Sequence, residues 1–378
     1  MTVKQATFET DDLRGRAQVC FFQGGDEPEL LSLLQETFPR WPRVEITVDP
    51  VDHLRWKLRS GVFHHHLVVE HGPRIVGMSL LWLRPARVRG GVLVQRASAD
   101  LAVHPDYQQL GILKVMRDFR DEAFRGVFDF HMGGFSKHPA IVRGRVGRTD
   151  RHPIGNRIQV RERPLTLRAA LSRFGPRAGR SMRKTSRSVR LAAQSMLGLA
   201  RGRGAPAERT AWAVRQVESF DERIDRLWEE ASRSFEFIPE LNAEFLNWRY
   251  CDARAGRFSA LLAEGGGRAL GYAVLQVSHG RGYLADLLVL PERLDVLDSL
   301  LAEATGYFEE AGVSMVVAWS PTRHPYNPVL HRHGFLVRPT RTRKLVCVPH
   351  RSRAEEALSF LQDPQARLHF TAGDVDVI

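Results

Sequence analysis

The sequence predicts an α/β protein made of two tandem copies of one mixed-sheet domain, joined by a basic helical linker. Three ordered recurrences carry this reading. Ala99-Asp100-Leu101-Ala102-Val103-His104-Pro105 returns as Ala285-Asp286-Leu287-Leu288-Val289-Leu290-Pro291. Upstream, Leu54-Arg55-Trp56-Lys57-Leu58 matches Leu246-Asn247-Trp248-Arg249-Tyr250. Between them each half has an apolar run, a glycine turn and a second apolar run, with Gly77 and Gly271 at the same point of the hairpin. One such match is within reach of chance, but three in the same order read as a duplication.

Each half then keeps one element order. A first strand (Ala17 to Phe22; Trp212 to Val217) leads to a helix, which in the first copy starts at Gly25-Asp26-Glu27-Pro28. Acids and proline in a first turn suit the positive end of the helix dipole. A second helix carries the tryptophan, and the glycine hairpin comes after it. The Asp-Leu-x-Val-x-Pro strand is next and is stopped by its proline. A long helix (Gly111 to Arg125; Asp295 to Ala311), another apolar strand (Val127 to Met132; Ser314 to Trp319), a short helix ending at Gly147 or Gly334, and a last strand complete each copy. Mixed strands and helices in this order give a sheet covered on both faces. The chain divides into a domain over 1–175, a linker over 176–208, a second domain over 209–349 and a C-terminal helix and tail over 350–378.

Length and composition agree. At roughly 150 residues per domain, 378 residues hold two domains or three. The 43% hydrophobic and 26% charged content is that of a soluble globular chain and excludes wholesale disorder, a collagen-like fibre and a membrane bundle. No run approaches 18 apolar residues, and the N-terminal stretch has no apolar segment of secretory type. Cys20, Cys251 and Cys347 lie far apart without a CxxC pair, so neither a disulfide framework nor a zinc site is expected. A cytoplasmic protein fits these features.

The net charge of +12 is unevenly placed. From Arg143 to Gly204 there are 17 Arg or Lys against two acids, Asp150 and Glu162, so that belt carries +15 and the rest of the chain −3. Met182 to Arg201 reads as an amphipathic helix with Val189, Ala192, Ala193, Met196, Leu197 and Ala200 on one face. Arg183, Lys184, Arg187 and Arg190 form a basic side, suited to solvent, to tRNA or to an anionic surface. No aromatic residues are interleaved for base stacking.

The chemistry-bearing stretch lies just past the first proline: Asp106-Tyr107-Gln108-Gln109-Leu110-Gly111-Ile112-Leu113. A strand ends, a glycine-bearing turn reverses the chain, and an amphipathic helix begins. Unpaired main-chain N–H groups at such a helix start form a cradle for a pyrophosphate, and Gly111 permits close approach of the backbone.

Val103, Pro105, Gln108 and Gly111 stand in the spacing V-x-P-x-x-Q-x-x-G-x, which resembles the acyl-CoA motif of the GCN5-related N-acetyltransferases (GNAT). The element order resembles that family's fold as well, over nearly the whole chain and in two copies. The resemblance implies acetyl-CoA as acyl donor and no metal. It places the pyrophosphate on the loop Gln108, Gln109, Leu110, Gly111, Ile112 and Leu113. The pantetheine arm would lie along Leu101, Ala102 and Val103, where two strands splay. Leu113 departs from the family's usual Gly or Ala and is expected to tighten the cradle. In the second copy Glu292 and Asp295 flank the corresponding turn and no glycine is present, so that copy is expected to have lost coenzyme A by charge repulsion.

Amine acylation needs a base for the ammonium proton and an acid for the leaving thiolate. Asp100, beside the splay, is the first candidate base, against which stands Asp286 in the copy without a donor loop; Glu70 on the neighbouring strand is the second. The family's usual tyrosine acid is replaced by Arg143 and by Leu330. His64 and His66 could share a face, but no carboxylate or cysteine cluster accompanies them. Trp56 and Trp248 read as core anchors, and His331 and His333 as solvated surface. These residues are compatible with three functions: an acyl-CoA-dependent N-acyltransferase acting on a primary amine of a small molecule or sugar; a transferase using aminoacyl-tRNA, as tandem GNAT-like enzymes do; or a non-catalytic acyl-CoA-binding module.

Overall fold

A computed structural model describes residues 6–8, 17–58, 66–133, 152–172, 211–338 and 341–375. The chain divides into two compact units, the first formed by residues 1–154, 253–256 and 344–363, the second by the remainder.

In the first unit the elements are β1 (Ala6–Phe8), β2 (Ala17–Phe21), α1 (Glu27–Thr37), α2 (Pro50–Leu58), β3 (Leu67–His71), β4 (Arg74–Val88), β5 (Gly91–Val103), α3 (Ile112–Ala123), β6 (Phe130–Gly133) and β7 (His152–Pro153). The acidic start expected for α1 forms: Asp26 is its N-cap, Glu27 accepts the Gly25 N–H at 2.9 Å and proline stands in the first turn. Asp49 caps α2 by accepting the Val51 N–H at 2.9 Å.

The second unit contains β8 (Ile158–Pro164), α4 (Leu167–Ser172), β9 (Ala213–Val217), α5 (Arg223–Ala231), β10 (Phe237–Pro239), α6 (Ala243–Leu246), β11 (Phe258–Gly265), β12 (Arg268–Ser278), β13 (Arg281–Val289), α7 (Leu294–Glu310), β14 (Met315–Pro321), α8 (Asn327–Arg332) and β15 (Leu336–Val337). Then β16 (Val346–Pro349) and α9 (Ser352–Leu358) belong again to the first unit.

The first sheet runs β1-β2-β3-β4-β5-β6-β16-β7, the second β15-β8-β14-β13-β12-β11-β9. Along these two orders, two strands sit in the sheet opposite to the one chain order predicts. Ile158–Pro164 pairs antiparallel with Met315–Pro321, although it lies inside the first expected domain range of 1–175. Val346–Pro349 pairs with Phe130–Gly133, although it lies inside the range 209–349. Hydropathy shows that a strand is needed at each place; it does not say which of two similar sheet edges the strand will take.

Both faces of the first sheet are covered, as expected. On one, Leu30, Leu33 and Leu34 of α1 and Leu54 and Leu58 of α2 pack on Val68, Met78, Leu80, Ala99 and Ala102. On the other, Ile112, Met116 and Phe119 of α3 pack on Val19, Leu67, Val69, Leu81, Leu83 and Val103. Each fully buried side chain of this size contributes ~1.5–3 kcal/mol. In the second unit Val296, Leu297, Leu300, Leu301, Ala304 and Phe308 form the buried stripe of α7. No described helix is long and apolar enough to cross a membrane.

Candidate functional site

The motif strand β5 is irregular where the sequence singled it out. Against β4, Met78 pairs with Ala102 and Leu80 with Ala99, so Asp100 and Leu101 together oppose Ser79. This is a β-bulge, and Asp100 takes a positive φ of 39° within it. On its other side β5 pairs with β6 only at Gln95–Phe130 and Arg96–His131. Beyond Arg96 the two parallel strands part, and the flank of β5 from Ala97 to Val103 has no strand beside it among the described residues.

The chain leaves this open flank through a single tight turn at Pro105–Tyr107. Gln108 turns back and donates its side-chain amide to the Val103 carbonyl at 3.3 Å. Gln109 and Gly111 both adopt left-handed conformations, φ 72° and 80°, and Gly111 is the N-cap of α3. A side chain at Gly111 would be strained there. Lys114 and Val115 already donate to the Gly111 carbonyl. The N–H groups of Ile112 and Leu113 in the first turn have no intrahelical acceptor, and no acid stands in that turn. Asp106 is the acid of the loop, and its side chain is 80% exposed. The Leu113 side chain packs against the apolar cluster under α3. So Leu101 to Val103 and Gln108 to Leu113 come together as one strand end and one amide-rich loop.

Asp100 and Glu70 are not brought together. The Asp100 carboxylate is almost buried: it accepts Trp41 Nε1–H at 3.1 Å and lies 2.5 Å from Lys57 Nζ, whose side chain is itself buried. Glu70 is on β3, separated from β5 by β4, and the splay is on the far edge of β5. Its carboxylate accepts from Cys20 Sγ at 3.5 Å. Burial and this carboxylate push the Cys20 thiol up to about 12.

The second unit repeats the frame and fills the opening. Gly271 pairs with Val289 as Gly77 pairs with Val103. A register shift on β13 lies at Ala285, one residue from the position of the first bulge. Asp286 is buried and accepts the Tyr250 hydroxyl at 3.1 Å, so here too the motif aspartate is tied to the helix that carries the Leu-x-Trp run. β13 parts from β14 after Leu284. The gap is occupied: the Tyr326 hydroxyl donates to the Val289 carbonyl at 3.1 Å and accepts its N–H at 3.0 Å. The stretch His369 to Thr371 lines the space with Leu284, Asp286, His324 and Tyr326. A Cβ on Gly373 would fall 1.8 Å from the Tyr250 hydroxyl and 3.1 Å from the Ala285 carbonyl. At the turn, Glu292 has a positive φ of 63° and Arg293 holds Asp295 at 2.8 Å.

Of the other residues noted in the sequence, Gly147, Arg143, His64, Arg183, Lys184, Arg187 and Arg190 lie outside the described residues. His66 is buried and structural, bonded to the Leu58 carbonyl at 2.9 Å while accepting the Leu81 N–H. Among the described residues no group of three or more His, Cys, Asp or Glu could hold a metal. Trp56 is a core anchor, whereas Trp248 is part-exposed against Phe245. His333 bonds Asp298 at 2.9 Å. Three residues escaped sequence reasoning: Lys57, because helical lysines are normally solvated; Tyr326, because its partner Val289 is distant in sequence; and His131, a lone histidine in an apolar strand.

No protein-family model matches the chain, and no curated protein matches it in sequence. Solved structures do match its fold. A protein of unknown function from Enterococcus faecalis, described as a probable N-acyltransferase, superposes with a TM-score of 0.57 at 10% identity, covering 88% of this chain and 72% of that one. A GCN5-related N-acetyltransferase from Anabaena variabilis gives 0.57 at 9% identity over the same shares. The Saccharomyces cerevisiae N-myristoyltransferase, solved with bound myristoyl-CoA, gives 0.55 at 12% identity, covering 92% and 85%. The fold is the GNAT-like one that these N-acyltransferases share.

Proposed function

We propose that the chain is a duplicated, acyl-CoA-dependent N-acyltransferase in which the first unit binds acetyl-CoA and passes its acyl group to a primary amine of a small molecule or sugar. The observation that carries this is the open flank of β5 from Ala97 to Val103, ending in a loop with left-handed Gln109 and Gly111 and an acid-free helix start. Phosphate oxygens are good acceptors for N–H groups at such a helix start, aided by the helix dipole. The main chain of Leu101, Ala102 and Val103 would pair with the amides of a pantetheine arm as a neighbouring strand would. Bound there, the donor supplies a thioester carbonyl open to attack. The GNAT-like neighbours support the fold-level part of this reading.

The two bulge aspartates support a positioning role for Asp100 rather than that of a base. Each is buried or nearly so and fastened to the segment that carries the Leu-x-Trp run, Asp100 through Lys57 and Asp286 through Tyr250. A carboxylate so engaged holds the bulge in place. Glu70 has no path to the flank of β5 through β4. The shared glycine–valine register and the paired aspartates also support the duplication itself.

Isothermal titration with acetyl-CoA tests this most directly. Binding to the wild-type chain and none to Gly111→Glu is expected, with thiol release on adding amines from a panel of amino sugars and small amines. Binding that survives Gly111→Glu would sink the donor-site assignment. Binding without thiol release to any amine would leave a binding module, and salt-sensitive tRNA retention would favour the tRNA-using reading.

A further inference from the structure

His131 is the one histidine at the point where β5 and β6 separate. It is the partner of Arg96 in the last pair before the strands part. Its Nδ1 lies 2.9 Å from the Arg96 carbonyl, and a carbonyl can only accept, so Nδ1 carries the hydrogen. The neutral ring therefore keeps its lone pair on Nε2, which has no partner among the described residues. That nitrogen leans over Gly133: a Cβ there would stand 2.7 Å from it. The residue as a whole is part-exposed rather than sealed. Burial, with Arg96 of β5, Arg120 of α3 and His350 after β16 facing it, holds the imidazole well below 6.5, while the bond to the Arg96 carbonyl opposes this less strongly. It is thus neutral at neutral pH. At the same register the second unit has Val316 opposite Gly282.

We propose that His131 is the general base of the first unit, a reading that rests on that unit being the acyl-donor site. Its Nε2 takes the proton from the acceptor ammonium. The amine nitrogen then bonds to the acyl carbon as the carbon–sulfur bond breaks. Nε2, having released that first proton to solvent, takes the second proton of the nitrogen being acylated and gives it to the departing thiolate, so one side chain serves both transfers and no tyrosine acid is required.

The test uses the full chain, diethylpyrocarbonate as the probe of neutral histidine nitrogen, and acetyl-CoA. Peptide mass analysis is expected to find His131 carbethoxylated in the free protein and at least ~10-fold slower to react at saturating acetyl-CoA. His131→Asn keeps a donor for the Arg96 carbonyl and lacks Nε2. It is expected to bind acetyl-CoA within about twofold of wild type, to lose ~100-fold or more in thiol release, and to lose the acid limb of the rate profile below pH 6.5. Equal reactivity of His131 with and without bound acetyl-CoA overturns the proposal alone, and so does unchanged turnover in His131→Asn. Failure of the wild-type chain to bind acetyl-CoA removes the donor site and this proposal with it. The reactivity arm uses wild-type protein and does not depend on the variant folding.

Discussion

The ends of β5 and β13 are built from the same run of residues and do opposite things. Past Arg96 no described strand flanks β5 on the β6 side, the Val103 carbonyl is held by the Gln108 side chain of the same loop, and the chain continues into a loop with two left-handed residues and no acid in the first helical turn. At Val289 the main-chain N–H and carbonyl are both taken by Tyr326, and Asp295 stands at the helix start. Both units keep the glycine-to-valine register and a motif aspartate tied to the segment that carries the Leu-x-Trp run. The contacts that hold each strand end in its sheet are thus separable from those that close one flank and leave the other without a neighbouring strand.

The largest way to break this contrast is at Gly111. Replacing it with Glu forces a side chain into φ 80° and sets an anion where phosphate is proposed to bind. Acetyl-CoA affinity should fall by at least ~100-fold, or ~2.7 kcal/mol, by titration calorimetry, with unfolding stability lowered by the ~1–2 kcal/mol that a left-handed side chain costs. Next is Lys57→Met, which leaves the Asp100 carboxylate buried without its cation and should cost ~3–5 kcal/mol in urea unfolding. Tyr250→Phe removes only a neutral donor from Asp286 in the second unit and should cost ~1–3 kcal/mol. Equal costs would mean that the two aspartates are held in the same way.

A third comparison is in pH. Desolvation holds His131 in the first unit and His324 in the second well below 6.5. The unfolded chain therefore binds protons near 6.5 that the folded chain refuses, and stability falls as pH drops below that value. The slope should approach ~1.4 kcal/mol per pH unit for each such histidine. Urea midpoints at pH 7.5 and 5.5 would show it, and His324→Gln should remove only the second unit's share. The smallest effect is expected from Glu292→Gln with Asp295→Asn. Neutralising that turn should produce no acetyl-CoA binding, because Tyr326 still occupies Val289. Detectable binding by this double variant in a Gly111→Glu background would show that charge alone had closed the second site.

Much of this was legible in the chain. The Asp-Leu-x-Val-x-Pro run, the glycine hairpin and the positions of α3 and α7 come from hydrophobic period, from proline's stop and from glycine's tolerance of positive φ, all local properties. The loop from Gln108 to Leu113 was legible for the same reason, since a strand end, a turn and a helix start are contiguous. The place of Asp100 on the motif strand was legible, but its bonds to Lys57 and Trp41 come from residues 43 and 59 positions away. Spacing along one strand carries no sign of them.

What the sequence determined by itself is the element order and the contrast between an acid-free turn at Gly111 and an acidic one at Asp295. Those depend on residues a few positions apart. Only the tertiary structure decided that Ile158–Pro164 and Val346–Pro349 join the sheets opposite to chain order, that Tyr326 closes the flank of β13, and that His131 stands where β5 and β6 part. Sheet edges accept any strand of compatible pleat, and a lone polar side chain gains its role from the neighbours that packing puts around it.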